Sequence, residues 1–242
     1  LPVTPQRPRF RGCGLSRSIR TKIGAGVAGT ILPSGSFDLY GVELSPGRNH
    51  SNGKRFMAIS DSASAREYLK LSTRDLHGRL DAAAGVMRLE TYPGYGDFLA
   101  AHAAALVPLE AALEKGGIER LLPDWALRRR SAALAEDLAD LGLSCEAMAA
   151  PMFRSDAGLL GAAYVLEGSR LDARAMLGRV SPDSPTRYLR HGEGMKFWPN
   201  FLGVLERSAE VRSAPHHAVA AARAAFSLFI SATPVRAMAI AS

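Results

Sequence analysis

A chain of 242 residues with 47% hydrophobic content is long enough to fill one large core. Its formal charge of +7 is concentrated at one end: residues 1–56 hold nine Lys and Arg against Asp38 and Glu43, whereas residues 57–242 carry 21 basic and 21 acidic residues. That balance excludes a basic binding face spread over the main body and argues against nucleic acid as a partner.

Two cysteines, Cys13 and Cys145, exclude a disulfide framework and a CxxC metal motif, so a reducing, cytoplasmic setting is expected. No run of about eighteen apolar residues stands out, which argues against a membrane span. Residues 1–56 are rich in Gly, Pro, Ser and Arg, have no sustained apolar period and precede the first methionine, Met57. They read as a disordered basic leader, upstream of a true start at Met57, with a transit peptide as the competing reading.

From there the pattern is consecutive helices over 57–242. A first helix is predicted from about Ala63 to Ala84, capped by Asp61 or Ser62. Leu69, Thr73, Leu76 and Leu80 recur at the spacing of a buried face, with His77 on its border. A second helix runs from about Tyr95 to Lys115 and is closed by Gly116 and Gly117. A third starts at Leu122, Pro123 and Asp124, with Asp124 as cap and Trp125, Leu127, Leu134, Leu138 and Leu141 as its apolar side. Arg128, Arg129 and Arg130 lie within it. Three successive helical residues fan through about 200°, so these read as a solvated flank with one arginine at an edge.

A fourth helix is predicted from about Ser155 to Arg179, ending at the Pro-rich stretch 181–185. Another spans about Gly194 to Ser208, where Pro199 must sit near the start or produce a kink. A last one covers about Pro215 to Ala232. Strand-length alternation is scarce, and the fold class expected is all-α, in one domain.

Two segments carry chemistry. LKLSTRDLHGRLD, residues 69–81, offers the neutral imidazole of His77 as a nitrogen ligand for iron. Lys70 and Arg74 stand within the two preceding turns as cations for carboxylates, a pattern by which a helix can hold haem. Read plainly, His77 is a core histidine bonded to a neighbour. In LLGAAYVLEGSRLDARAML, residues 159–177, Gly161 and Gly168 lie two turns apart on one face. An interior helix glycine costs about 1 kcal/mol relative to alanine, so it marks close approach either of another helix or of a flat macrocycle. Glu167 turns off that face and reads as structural. His216 and His217 point about 100° apart with no acid or cysteine at ligand spacing, so they do not read as a metal site. His102 reads as exposed or interfacial, and His191 lies in a charged loop able to line a pocket edge.

These two segments, followed in order by RYLRHGEGMKFWPNFLGVLE and AAARAAFSLFI, resemble the bacterial haem oxygenases of the biliverdin-producing type over nearly all of residues 57–232. The resemblance implies a haem oxygenase-like helical bundle that holds haem b, both substrate and cofactor, between a proximal and a distal helix. It makes His77 the axial, metal-binding ligand and puts Lys70, Thr73 and Asp81 in the flanking positions. Gly168 and Ser169 fall over the oxygen site with Tyr164 one turn before. Arg187, Lys196 and Phe201 belong to the segment that closes the far edge, and Phe226 packs on the proximal side.

The implied reaction opens haem at a meso carbon to biliverdin, carbon monoxide and ferrous iron. It uses O2 and electrons from an external ferredoxin or flavoprotein reductase. A neutral imidazole suits this because, unlike a cysteine thiolate, it does not push electron density towards O–O cleavage. A bilin-binding photoreceptor is an implied product acceptor. Members of the family commonly continue the distal motif as GSxLGG or GSxLGA, whereas this chain places Asp172 and Ala173 at the two final positions. Over haem, Asp172 either orders water as a catalytic acid or narrows the pocket. The second possibility points to a catalytically silent haem carrier or sensor. A relative of the same architecture in thiamine or quinone-cofactor metabolism, without haem, is a third reading; His77, its basic neighbours and the Gly-Ser element argue against it.

Overall fold

Ser64 starts the first helix, α1 (Ala65–Gly85): its hydroxyl accepts the Glu67 N–H and donates to Glu206 at 2.7 Å. The same Glu206 carboxylate takes the Ala65 and Arg66 N–H groups at 2.9 and 3.0 Å, so a residue some 140 positions away seals this helix end. The computed structural model describes residues 64–234 and 236–239. The leader read over residues 1–56 and the expected caps Asp61 and Ser62 lie outside the described residues. α1 buries Ala65, Leu69, Thr73 and Leu76 on one face.

Helix α2 (Tyr92–Gly116) is capped by Thr91 and buries most of its length, including Phe98, Leu99, Leu106, Leu109 and Leu113. By length and composition α2 is apolar enough to cross a bilayer, which the sequence reading did not anticipate; 67% of that window is buried inside the bundle. A 3₁₀ turn (Ile118–Arg120) leads to α3 (Trp125–Arg128) and α4 (Ser131–Asp140). These were expected as one helix. The chain instead turns extended at Arg129 (φ −61°, ψ 136°), because the Glu110 carboxylate captures the N–H groups of Arg130 and Ser131 at 2.8 and 3.1 Å and starts a new helix there.

A two-residue strand β1 (Leu143–Ser144) precedes α5 (Asp156–Leu177), α6 (Arg187–Arg190), α7 (Phe197–Arg207), α8 (Ala209–Ser213) and α9 (Pro215–Ala232). Pro199 falls in the first turn of α7, where its missing N–H costs nothing. Strand β2 (Met238–Ala239) pairs antiparallel with β1.

α9 is the hub that positions the site. α5 lies against one side of it, and α1 against another, held there by Arg223, which grips Asp75 through two bonds of 2.7 and 2.9 Å and the Ser72 carbonyl at 2.7 Å. α7 touches both α1 and α5, whereas α1 and α5 pack little on each other. The result is a slot with α1 and α5 as its walls.

The α5–α9 contact is close at Gly161, where a Cβ would stand 2.1 Å from the Ala218 carbonyl oxygen. Of the two readings left open for this glycine, the structure supports contact with a helix. Gly161→Ala is expected to lower stability by about 1–3 kcal/mol through forced separation of the helices, measured by urea unfolding. A loss under 0.5 kcal/mol would show that the two backbones separate freely.

Candidate functional site

His77 lies on the wall of the slot contributed by α1, one residue past buried Leu76, with its side chain 37% exposed. Its Nδ1 is 2.8 Å from Asp81 Oδ2, one turn further along the same helix. With Nδ1–H donated to that carboxylate, Nε2 carries the lone pair, and the ring orientation is fixed. The Asp81 hydrogen bond raises the imidazole pKa above its ordinary value, burial opposes it, and the charges of Asp81 and Asp172 add to the rise. Phe226 of α9 stands 5.6 Å from the imidazole, tilted by 58°. Thr73, one turn before His77, is buried and spends its hydroxyl on the Leu69 carbonyl at 2.8 Å. Lys70, two turns before, is half-buried.

On α5, Gly168 and Asp172 are one turn apart on the same face. A Cβ at Gly168 would be in ordinary van der Waals contact with the Trp198 ring at 3.9 Å and would clash with nothing, so this glycine is uncrowded. Asp172 makes no hydrogen bond among the described residues. Burial holds its carboxyl above the usual carboxylate range; the charge of His77 opposes this and that of Asp81 adds to it, which puts Asp172 within electrostatic reach of α1. Tyr164, one turn before Gly168, is 8% exposed with its ring 5.7 Å from Trp198, which stacks on fully buried Phe201 at 5.9 Å.

Two expected residues lie elsewhere. Ser169 turns about a quarter of the way round α5 from Gly168. Its hydroxyl accepts from Arg130 at 2.8 Å and donates to the Leu166 carbonyl at 2.9 Å, so it faces the protein behind the distal helix. Arg187 is engaged by α4: Asp137, fully buried, accepts its guanidinium at 3.2 Å and the N–H groups of Arg187 and Tyr188 at 3.1 and 2.9 Å. Asp140 and Glu136 add further pairs, and a carboxylate buried this deeply has first claim on the nearest cation. Lys196 is exposed at the N-cap of α7.

The arginine run contradicts its reading as a solvated flank: Arg128 and Arg130 are each 2% exposed. Arg128 donates to Asp124 at 2.7 and 2.9 Å, to Glu167 at 2.8 Å and to the Phe197 carbonyl at 3.0 Å. Glu167 also receives Arg170 at 3.1 and 3.2 Å. The Arg128 and Arg170 guanidinium groups, joined by Glu167, both pack on the Phe197 ring, each 4.9 Å from its centroid, which anchors the start of α7 next to Trp198. Glu167 is structural, as expected. Arg130 also donates to the Leu166 carbonyl at 2.9 Å, and its Nε has no hydrogen-bond partner among the described residues.

His102 is interfacial, its Nδ1 2.7 Å from the Tyr188 hydroxyl and its ring 4.2 Å from Phe98. Burial, aided by the Arg130 charge, pushes its pKa from 6.5 down to about 3. The unfolded chain therefore binds this proton near pH 6.5 and the folded protein does not until about pH 3. Stability is expected to fall as pH drops through that window, with a slope of up to about 1.4 kcal/mol per pH unit from this group. Urea unfolding between pH 7 and pH 4 checks this, and an unchanged slope in His102→Gln would assign the loss to other groups.

The donor set suits haem: one oriented imidazole with Nε2 available, an aromatic ring beside it, and an opposite helix whose glycine leaves room for a flat group. Among the described residues no cluster of three or more His, Cys, Asp or Glu can hold a bare metal ion. No family model matches the chain. A curated haem oxygenase from Xanthomonas campestris pv. campestris (strain 8004) is 32% identical over 143 residues, 56% of this chain and 86% of that protein. The NO- and CO-bound haem oxygenase of Neisseria meningitidis, a solved structure, shares the fold with a TM-score of 0.60 at 20% identity, over 71% of this chain and 91% of its own.

Proposed function

The chain belongs to the haem oxygenase family, and on that premise we propose that it opens haem at a meso carbon to biliverdin, carbon monoxide and ferrous iron. The observation that carries this reading is the His77–Asp81 pair at 2.8 Å on α1, within electrostatic reach of Asp172 on the α5 face that holds uncrowded Gly168. Haem, when bound, supplies the iron at which dioxygen is reduced and the carbon that is oxidised.

The side chains have separate tasks. His77 would hold the iron as a neutral ligand, with Asp81 keeping its Nδ1 protonated so that Nε2 is left to bind. Phe226 limits rotation of the imidazole. Gly168 gives the dioxygen side its room, and the Trp198 ring beside it narrows the approach of water. Lys70, two turns before His77, and Tyr164, one turn before Gly168, are suited to the haem carboxylates. Electrons come from an external ferredoxin or flavoprotein reductase in the cytoplasm, and a bilin-binding photoreceptor is a fitting acceptor for the product.

An absorbance titration of the full chain with haemin, followed by reductant in air, tests the reading. The expected result is a Soret band that gives way to a broad red bilin band; a Soret band that persists through reduction and oxygenation would leave haem binding without turnover.

Asp172 favours a second reading, a haem carrier or sensor, since a carboxyl enclosed on the α5 face takes up space on the dioxygen side. Asp172→Gly separates the two. A carrier is expected to gain bilin formation when the side chain is removed. An enzyme that uses Asp172 to order water is expected to lose rate by about 10²–10⁴-fold, the usual contribution of a positioned acid.

A further inference from the structure

Between the C-terminal half of α5 and the 189–199 segment lies a cleft of about 170 Å³, lined by Arg170, Leu171, Arg174, His191, Phe197 and Trp198 among others. The function proposed above makes no use of it. Trp198 is a wall shared by two spaces, since the same side chain that lines the cleft also stands 3.9 Å from where a Cβ of Gly168 would be.

Among the charged side chains of the cleft donors outnumber acceptors, with Arg170, Arg174 and Arg190 against Glu193. Arg174 is exposed and makes no hydrogen bond or ion pair among the described residues. Arg170 Nη1 lies 3.2 Å from His191 Nδ1, and a guanidinium can only donate, so the imidazole proton sits on Nε2. Burial and the charges of Arg170 and Arg130 push His191 down to about 4, which keeps this tautomer neutral at neutral pH. The acid of the cleft, Glu193, is exposed and pairs with Arg190 through one oxygen at 3.3 Å. The excess of donors favours a ligand that brings acceptors.

The remaining wall is flat and apolar, formed by Leu171, Leu177, Phe197 and Trp198. It is also fixed in place. Phe197 packs against two guanidinium groups that share Glu167, and Gly192 (φ 77°) lets the loop pass so close that a Cβ there would be 2.8 Å from the Phe197 ring. Apolar walls disfavour inorganic phosphate or sulfate. Pockets for whole drug-sized ligands start at about 300 Å³, so this one takes a fragment.

We propose that the cleft binds a single aromatic ring bearing a carboxylate on a short arm, the carboxylate on Arg174 and His191 Nε2 and the ring against Trp198. Two sources share this chemistry: a free small aromatic acid, or one propionate-bearing pyrrole of an open-chain tetrapyrrole. The second rests on the function proposed above; the first does not.

The chain contains two tryptophans, so emission lost in Trp198→Phe reports on the cleft. The test titrates the full, haem-free chain with 3-phenylpropionate and with its neutral amide. The expected result is a saturable change that is absent in Trp198→Phe and weakened at least about tenfold by the amide or by Arg174→Ala, the loss of one charge-assisted hydrogen bond. Displacement of 3-phenylpropionate by biliverdin, but not by its dimethyl ester, assigns the tetrapyrrole as source. Binding of the small acid with no displacement assigns a free acid, and that result holds even if no bilin is ever formed from haem. Equal affinity for acid and amide, no effect of Arg174→Ala, or no saturable change would overturn the proposal, whatever the fate of haem.

Discussion

Replacing His77 with alanine is expected to abolish the haem Soret band that saturates at one equivalent, leaving only the broad absorbance of loosely adsorbed haemin. His77 has an oriented, lone-pair-bearing Nε2 on the open side of α1, and the other internal histidines have none to offer there. His102 is bonded to Tyr188 among aromatic rings, and His191 accepts Arg170 at Nδ1 and so presents a proton at Nε2. The half-exposed position of His77 means that its loss should leave helix content and unfolding midpoint almost unchanged, which separates a ligand defect from a folding defect. Asp81→Ala removes only the partner that orients the ring. It is expected to keep the band while weakening haem affinity about 10–100-fold, as loss of such partners commonly does. A full-strength, stoichiometric Soret band in His77→Ala would sink the ligand assignment.

The second large effect is expected behind the distal helix. Glu167→Ala leaves Arg128, 1% exposed, without its innermost carboxylate, and frees Arg170 from the partner that sets its stacking on Phe197. Breaking a buried pair from one side typically costs about 3–5 kcal/mol because the surviving charge is left uncompensated in a poorly solvated site. A domain with a typical stability of about 5–15 kcal/mol would lose a large share of it. Urea unfolding gives the number. A cost below 1 kcal/mol would mean that Asp124, which Arg128 also holds through two bonds, satisfies the guanidinium alone.

The helices and the His77–Asp81 pair were legible because both depend on local spacing. His77 and Asp81 stand one turn apart, so a reading of α1 brings them together without knowledge of any other segment. The same holds for Gly168 and Asp172 on α5. The arginines were not legible because burial of Arg128 depends on the Glu167 carboxylate, 39 residues on, and burial of Arg130 on the Leu166 carbonyl and Ser169 hydroxyl, 36 and 39 residues on. No periodicity in residues 124–141 announces such partners. Arg187 was misplaced for the same reason, since Asp137 lies 50 residues away. Ser169 shows the opposite fault. Adjacency to Gly168 in a motif suggested a shared role, whereas a helix turns neighbours about 100° apart. Trp198 lay inside a segment that the resemblance included, but only the fold reveals that its ring stands beside Gly168.

The slot has one stiff wall and one compliant wall. α5 is fastened to α9 backbone-to-backbone at Gly161 and to α3 and α4 through buried guanidinium groups. α1 rests on α9 through an exposed Arg223–Asp75 grip and a start sealed by Glu206, with its outer face in solvent. Admission of a rigid, plate-shaped guest should therefore be accommodated by α1 while α5 acts as the anvil. Amide exchange reads this directly: α1 is expected to exchange faster than α5 in the empty protein, and to show the greater slowing once the plate is in place.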